Sequence, residues 1–216
     1  MKYKAVIFDL DGTLLDTIDD LMDSTNYILA SKGFPTHDAE KYKYFVGDGM
    51  ANLVRRALPP NMQSESLVTE CFAAVRAEYG KRWADKSCPY KGIPELLDRL
   101  SLMGIKMAVL SNKPDEFTKV VVEKLLSRWK FELVFGERKG ISRKPDPSGA
   151  LEIAEQLQIS PQDFLYLGDT NTDMKTANAA GMYAVGVLWG FRKSEELLES
   201  GAKVLLEEPL DLLKML

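Results

Sequence analysis

The sequence lacks the raw material for several common kinds of site. Two cysteines, Cys71 and Cys88, and one histidine, His37, are spread through 216 residues with no Cys-x-x-Cys spacing. A zinc centre built from histidine and cysteine is excluded, and no disulfide framework is expected. Both cysteines read as packing residues, and His37 as a surface residue ahead of a helix. No apolar run approaches the roughly 18 residues of a membrane span, and the N-terminus enters strand-like sequence without a signal-peptide stretch. Positive charge is not in excess either. Lys and Arg number 28 against 32 Asp and Glu, a net charge of −4, which argues against general nucleic-acid binding. The expectation is a reduced, cytoplasmic protein that engages neither membrane nor nucleic acid. With 45% hydrophobic residues, the chain can bury a sizeable core as one large domain or a domain with an insertion.

Periodicity divides what is present into two unlike regions. A strand pattern over about 4–9 is followed by helical patterns near 16–32, 38–44, 49–57 and 64–84. Gly33-Phe34-Pro35 is a credible helix stop, Pro59-Pro60 breaks the middle, and Cys88-Pro89-Tyr90-Lys91-Gly92 reads as a linker. From there helices and strands alternate. Strands are expected at 106–110, 133–136, 164–167, 183–187 and, at an edge, 203–206. Helices are expected near 94–103, 115–127, 147–157, up to 180, 194–199 and 210–215. Such alternation predicts an α/β fold, a doubly wound Rossmann-like parallel sheet, made of residues 1–15 and 91–216. The all-helical block 16–90 is read as a cap inserted after the first strand.

The chemistry-bearing residues fall where those strands end. Asp9 and Asp11 follow the apolar run Ala5-Val6-Ile7-Phe8, Ser111 and Asn112 follow the next strand, and Asp169 and Asp173 follow a later one. In open α/β sheets, ligands bind outside the carboxyl ends of the strands, so these segments are expected to meet in one crevice. Lys144, on a loop that opens a helix, can reach it. Burying unpaired carboxylates is costly; a cation offsets that cost, and an oxygen-rich acidic set suits magnesium.

Four short motifs in order carry a resemblance: Asp9-x-Asp11-Gly12-Thr13, Ser111, Lys144 and Gly168-Asp169-x-x-x-Asp173. Together they make the chain similar to the haloacid-dehalogenase superfamily of phosphohydrolases, whose helical cap occupies the place of the insertion here. The resemblance implies that Asp9 attacks phosphorus and forms an aspartyl-phosphate, while Asp11 serves as general acid and then base. It implies magnesium held by Asp9, the Asp11 carbonyl and Asp169, with Leu10, Ser111 and Asn112 beside the phosphate and Lys144 balancing charge. Asp173 is left to orient metal-bound water or to hold Lys144.

The substrate is sought in the cap. Gly47, Gly49 and Arg55, within Phe45–Leu58, could bind an anion through backbone N–H groups and a guanidinium. That segment, and Val187-x-Trp189-Gly190-Phe191 after the last main strand, resemble phosphoglycolate phosphatases. Asp11 argues against the dehalogenases, which lack the second acid. The absence of histidine over Asp16–Ala30 argues against the mutases, and no persuasive counterpart of the phosphonatase lysine is found. The expected partner is therefore a small phosphorylated metabolite, with phosphoglycolate first. Pyrophosphatase, sugar-phosphate phosphatase or phosphomutase activity is the alternative, and a non-catalytic phosphate-binding module the remote one. Monomer and dimer are both left open.

Overall fold

The computed structural model describes residues 2–216. From β1 (Ala5–Phe8) the chain passes through a two-residue strand, β2 (Leu15–Asp16), into four helices, α1 (Ile18–Ser31), α2 (Ala39–Phe45), α3 (Met50–Ala57) and α4 (Glu65–Arg82). It returns through β3 (Cys88–Pro89) and then alternates: α5 (Ile93–Leu102), β4 (Lys106–Pro114), α6 (Asp115–Leu125), β5 (Leu133–Glu137), α7 (Ser148–Leu157), β6 (Phe164–Gly168), α8 (Asn171–Ala179), β7 (Tyr183–Val187), α9 (Ser194–Glu199) and β8 (Val204–Leu206).

Six strands form one parallel sheet in the order β5-β4-β1-β6-β7-β8. Every residue of β1 is buried, as expected of a central parallel strand covered on both faces. Alternate residues supply the two faces. Val6, Phe8, Val109 and Leu167 pack with Ile93, Leu96 and Leu97 of α5 and Val121 of α6. Ala5, Ile7, Ala108 and Tyr166 pack with Ile153 of α7 and Met174 of α8. The chain winds outward from β1 in one direction to β4 and β5, and in the other to β6, β7 and β8. The β1 carboxyl end is thus the point where the connections diverge and a crevice opens.

The helices α1–α4 close around a cluster of their own, with Leu21, Leu29, Tyr42, Leu53, Val54, Val68, Val75 and Tyr79 buried together. Ser64 and Asp38 cap α4 and α2 by accepting from Leu67 N and Lys41 N, which satisfies otherwise unpaired helix-end donors. Among the described residues no helix is long and apolar enough to cross a membrane.

Several local expectations are corrected. The supposed linker at 88–92 contains β3, which pairs antiparallel with β2, Leu15 opposite Pro89 and Asp16 opposite Cys88. Two residues are too few to show an alternating pattern. β4 does not stop at Leu110 but stays extended to Pro114, with a register irregularity after Leu110. The terminal helix expected near 210–215 is present, as a 3₁₀ helix over Pro209–Met215. Cys71 is buried as expected, but Cys88 is exposed. His37 is half-buried, its Nε2 2.8 Å from Ala57 O and its ring edge-on to Phe45.

Candidate active site

A tight turn aims the acidic residues after β1. Leu14 N and Leu15 N both donate to Leu10 O, and Gly12 has a φ of +90°. A Cβ there would also fall on the Asp169 carboxylate, so only glycine fits both the turn and the approach. The turn leaves Asp9 and Asp11 buried side by side at the sheet's carboxyl end.

Each acid is held by named donors. Asp9 Oδ1 accepts from its neighbour Leu10 N at 2.7 Å and is 2.8 Å from Lys144 Nζ. Asp11 Oδ1 accepts from Thr17 Oγ1 at 2.7 Å and Lys113 Nζ at 2.9 Å, and Oδ2 accepts from Lys113 Nζ at 3.1 Å. Asp169 accepts from Thr13 Oγ1 at 3.0 Å and Phe191 N at 2.9 Å. Asp173, like Asp11, accepts three hydrogen bonds. It takes Lys144 Nζ at 2.7 Å on one oxygen, and Thr170 N and Oγ1 on the other in the capping box of α8.

Asn112 ties three segments together. Its amide donates to Gly47 O and Lys144 O, both at 3.0 Å, while its Oδ1 accepts from Lys144 N at 2.9 Å. The Lys144 loop is thereby locked to β4, and Nζ also donates to Leu110 O. Ser111 lines the crevice beside Asp9 and Asp11.

The site is short of positive charge. Oxygens of Asp9, Asp169 and Asp173 lie within 4.8 Å of one another. Burial, then the Asp173 charge, pushes the Asp9 carboxyl well above the usual carboxylate range despite Lys144. The same two causes push Asp169 up to about 7. Burial works against the charge on Lys144, but Asp173 and Asp9 more than offset it and hold the ammonium above the ordinary lysine range. Carboxylates raised by mutual crowding are a fit for a divalent cation, which favours their ionised forms. Asp9 and Asp169 have lone pairs for it; Asp173 is already spent on Lys144 and Thr170.

A sequence model of the haloacid dehalogenase-like hydrolases matches residues 6–187. The chain belongs to this family. It is 30% identical over 213 residues to phosphoglycolate phosphatase 1 of Pseudomonas aeruginosa, covering 97% of this chain and 78% of that one. It is 32% identical over 202 residues to a phosphoglycolate phosphatase of Thiobacillus denitrificans, covering 92% and 89%. Among solved structures, a candidate phosphoglycolate phosphatase from Lactobacillus delbrueckii subsp. bulgaricus matches with a TM-score of 0.93 at 32% identity, over 100% of this chain and 98% of that one.

The crevice of this haloacid dehalogenase-like hydrolase brings Asp9, Asp11, Ser111 and Asn112 together with Gly47 and Gly49. Arg55 is not among them. Its guanidinium lies on Glu65 at 2.8 and 2.9 Å and on Gln63 O at 3.3 Å, away from the crevice. Its neighbour Arg56 turns to Asp48 and Phe45 O. The reason is helical phase: α3 buries Met50, Leu53, Val54 and Ala57, so positions 55 and 56 sit on the other side of a 3.6-residue turn.

Lys113 is the residue that motif reading missed in this hydrolase. It is buried, and its ammonium stays above the ordinary range because the Asp11 carboxylate more than offsets the cost of burial. A signal existed: in extended chain, positions 111 and 113 share a face, so a strand continued past Leu110 points Lys113 the same way as Ser111. Thr13 and Thr17, which bond Asp169 and Asp11, carried no separate signal beyond their nearness to the first motif.

Proposed function

We propose that this protein is a magnesium-dependent phosphomonoesterase acting through an aspartyl-phosphate on Asp9, with 2-phosphoglycolate or another small phosphorylated metabolite as substrate. The observation that carries this reading is the pair Asp9 and Asp11 facing one crevice, each anchored by a buried lysine. Asp9 is the nucleophile: its carboxylate oxygen bonds to phosphorus as the ester oxygen departs. Asp11 gives that oxygen a proton, and later takes one from the water that cleaves the acyl phosphate. Lys144, and the Ser111 and Asn112 segment, hold the phosphoryl oxygens and offset charge there. Asp9, Asp169 and the Asp11 carbonyl are the residues to hold magnesium, with Asp173 behind Lys144. Magnesium, when bound, neutralises charge between carboxylate and phosphate.

Residues 16–90 serve as a cap that excludes water and selects the leaving group. The crevice offers only about 40 Å³ of free space, well below the range of drug-sized ligand pockets, which favours a compact leaving group over a nucleoside. Both cysteines are free, which suits a reducing, cytoplasmic setting. The test is phosphate release with magnesium across phosphoglycolate, pyrophosphate, sugar phosphates and nucleoside monophosphates, with Asp9→Asn protein as blank. One dominant substrate, lost on substitution, is the expected result; no release from any of them overturns the reading.

A further inference from the structure

Lys113 stands where the two halves of the crevice meet. Its Nζ donates to both oxygens of Asp11 and lies 4.7 Å from the centroid of the Tyr79 ring. Tyr79 belongs to α4, is fully buried, and stacks edge-on against Phe117 of α6 at 5.4 Å. Its hydroxyl makes no well-formed hydrogen bond among the described residues but lies close enough to the ammonium to favour its charged form, so ring and hydroxyl both face Lys113. A lysine is a flexible stem with a point charge, and an aromatic face above it attracts and confines the ammonium. The remaining donor to Asp11, Thr17 Oγ1, reaches only Oδ1. Without Lys113 the carboxylate can therefore turn about that single bond.

We propose that Lys113, confined under Tyr79, is a positioning residue for the proton transfer by Asp11. The inference deepens the phosphatase reading and rests on it. In the step concerned, a bond forms between Asp9 oxygen and phosphorus, the ester P–O bond breaks, and the proton of Asp11 goes to the leaving oxygen. Lys113 makes no bond in this exchange. It fixes the direction from which the proton arrives, and it does so only while α4 lies against the core.

The experiment compares ethyl phosphate with trifluoroethyl phosphate, near-isosteres of which the second has a leaving oxygen that needs far less protonation. In the magnesium-loaded full chain, Lys113→Met is expected to lower kcat on ethyl phosphate about a hundredfold, the scale of a general-acid contribution, and on trifluoroethyl phosphate only a fewfold. In an Asp11→Asn background, Lys113→Met is expected to cost nothing more. Tyr79→Leu is expected to show the same leaving-group selectivity at smaller amplitude, and carries the test should Lys113→Met not fold. Equal losses on both esters, or a full further loss in the Asp11→Asn background, overturn the inference while the phosphatase reading stands. Failure of the unsubstituted protein to release phosphate from any ester overturns both.

Discussion

The two walls of the crevice are built on opposite principles. The core wall is charged and over-determined. Asp9, Asp11, Asp169 and Asp173 each take donors from two or more residues, and Asn112 ties Lys144 to β4. The wall contributed by α1–α4 is apolar: Leu21, Val46, Met50 and Leu53, with glycine backbone between. Its arginines face outward to Glu65 and Asp48. Reaction chemistry needs groups held to fractions of an ångström, whereas a leaving group is recognised by shape and water exclusion. On the proposed function, the two duties fall to different stretches of the chain, with Tyr79 of α4 reaching across to Lys113.

The contrast between the walls is sharpest at Asp9. Asp9→Asn is expected to abolish phosphate release while the melting temperature stays level or rises, because a crowded carboxylate is removed; a large fall in melting temperature would place its role in folding instead. Next in size is the cation. Magnesium is expected to raise the melting temperature, and chelation to stop turnover, with both responses absent in Asp169→Asn. The sign with pH follows from Asp169, whose value is raised to about 7. Protonation up to that region favours the metal-free fold and competes with the cation, so the gain from magnesium shrinks as pH falls below about 7. Calorimetry at several pH values checks this.

On the opposite wall, Met50→Ala is expected to raise KM for the preferred substrate about tenfold, the scale of a few lost apolar contacts. kcat on acetyl phosphate should be unchanged. A collapse of kcat on every substrate would erase the division between the walls. The smallest effect is expected from Arg55→Ala. An exposed ion pair contributes little, so KM and kcat should move by no more than about twofold. A large rise in KM would return Arg55 to the crevice.

Much of this was legible because buried parallel strands announce themselves. Ala5–Phe8, Phe164–Gly168 and Tyr183–Val187 are short apolar runs, and the first two lead into Asp9 and Asp169, whose carboxylates meet. What stayed hidden depended on phase or pairing. Arg55 and Arg56 are adjacent in sequence, so motif reading could not say which side of α3 faced the substrate; the buried Met50, Leu53 and Val54 decide it. Lys113 was hidden by the assumption that β4 ended at Leu110. The β2–β3 pair was hidden because two residues make no pattern, and its partners are far apart in sequence, Leu15 with Pro89 and Asp16 with Cys88.

That same pair has a consequence for how such enzymes diversify. The chain leaves the sheet and returns to it through neighbouring residues, Leu15 beside Pro89 and Asp16 beside Cys88, with Asp20 of α1 bonded to the backbone of Lys86 and Ser87. An insert enclosed by so narrow a doorway is a graft. Any helical module whose two ends meet at strand spacing, about 5 Å, can take its place without shifting the register of β1. On the proposed function, such an exchange would change what covers the crevice while the aspartates beneath keep their positions.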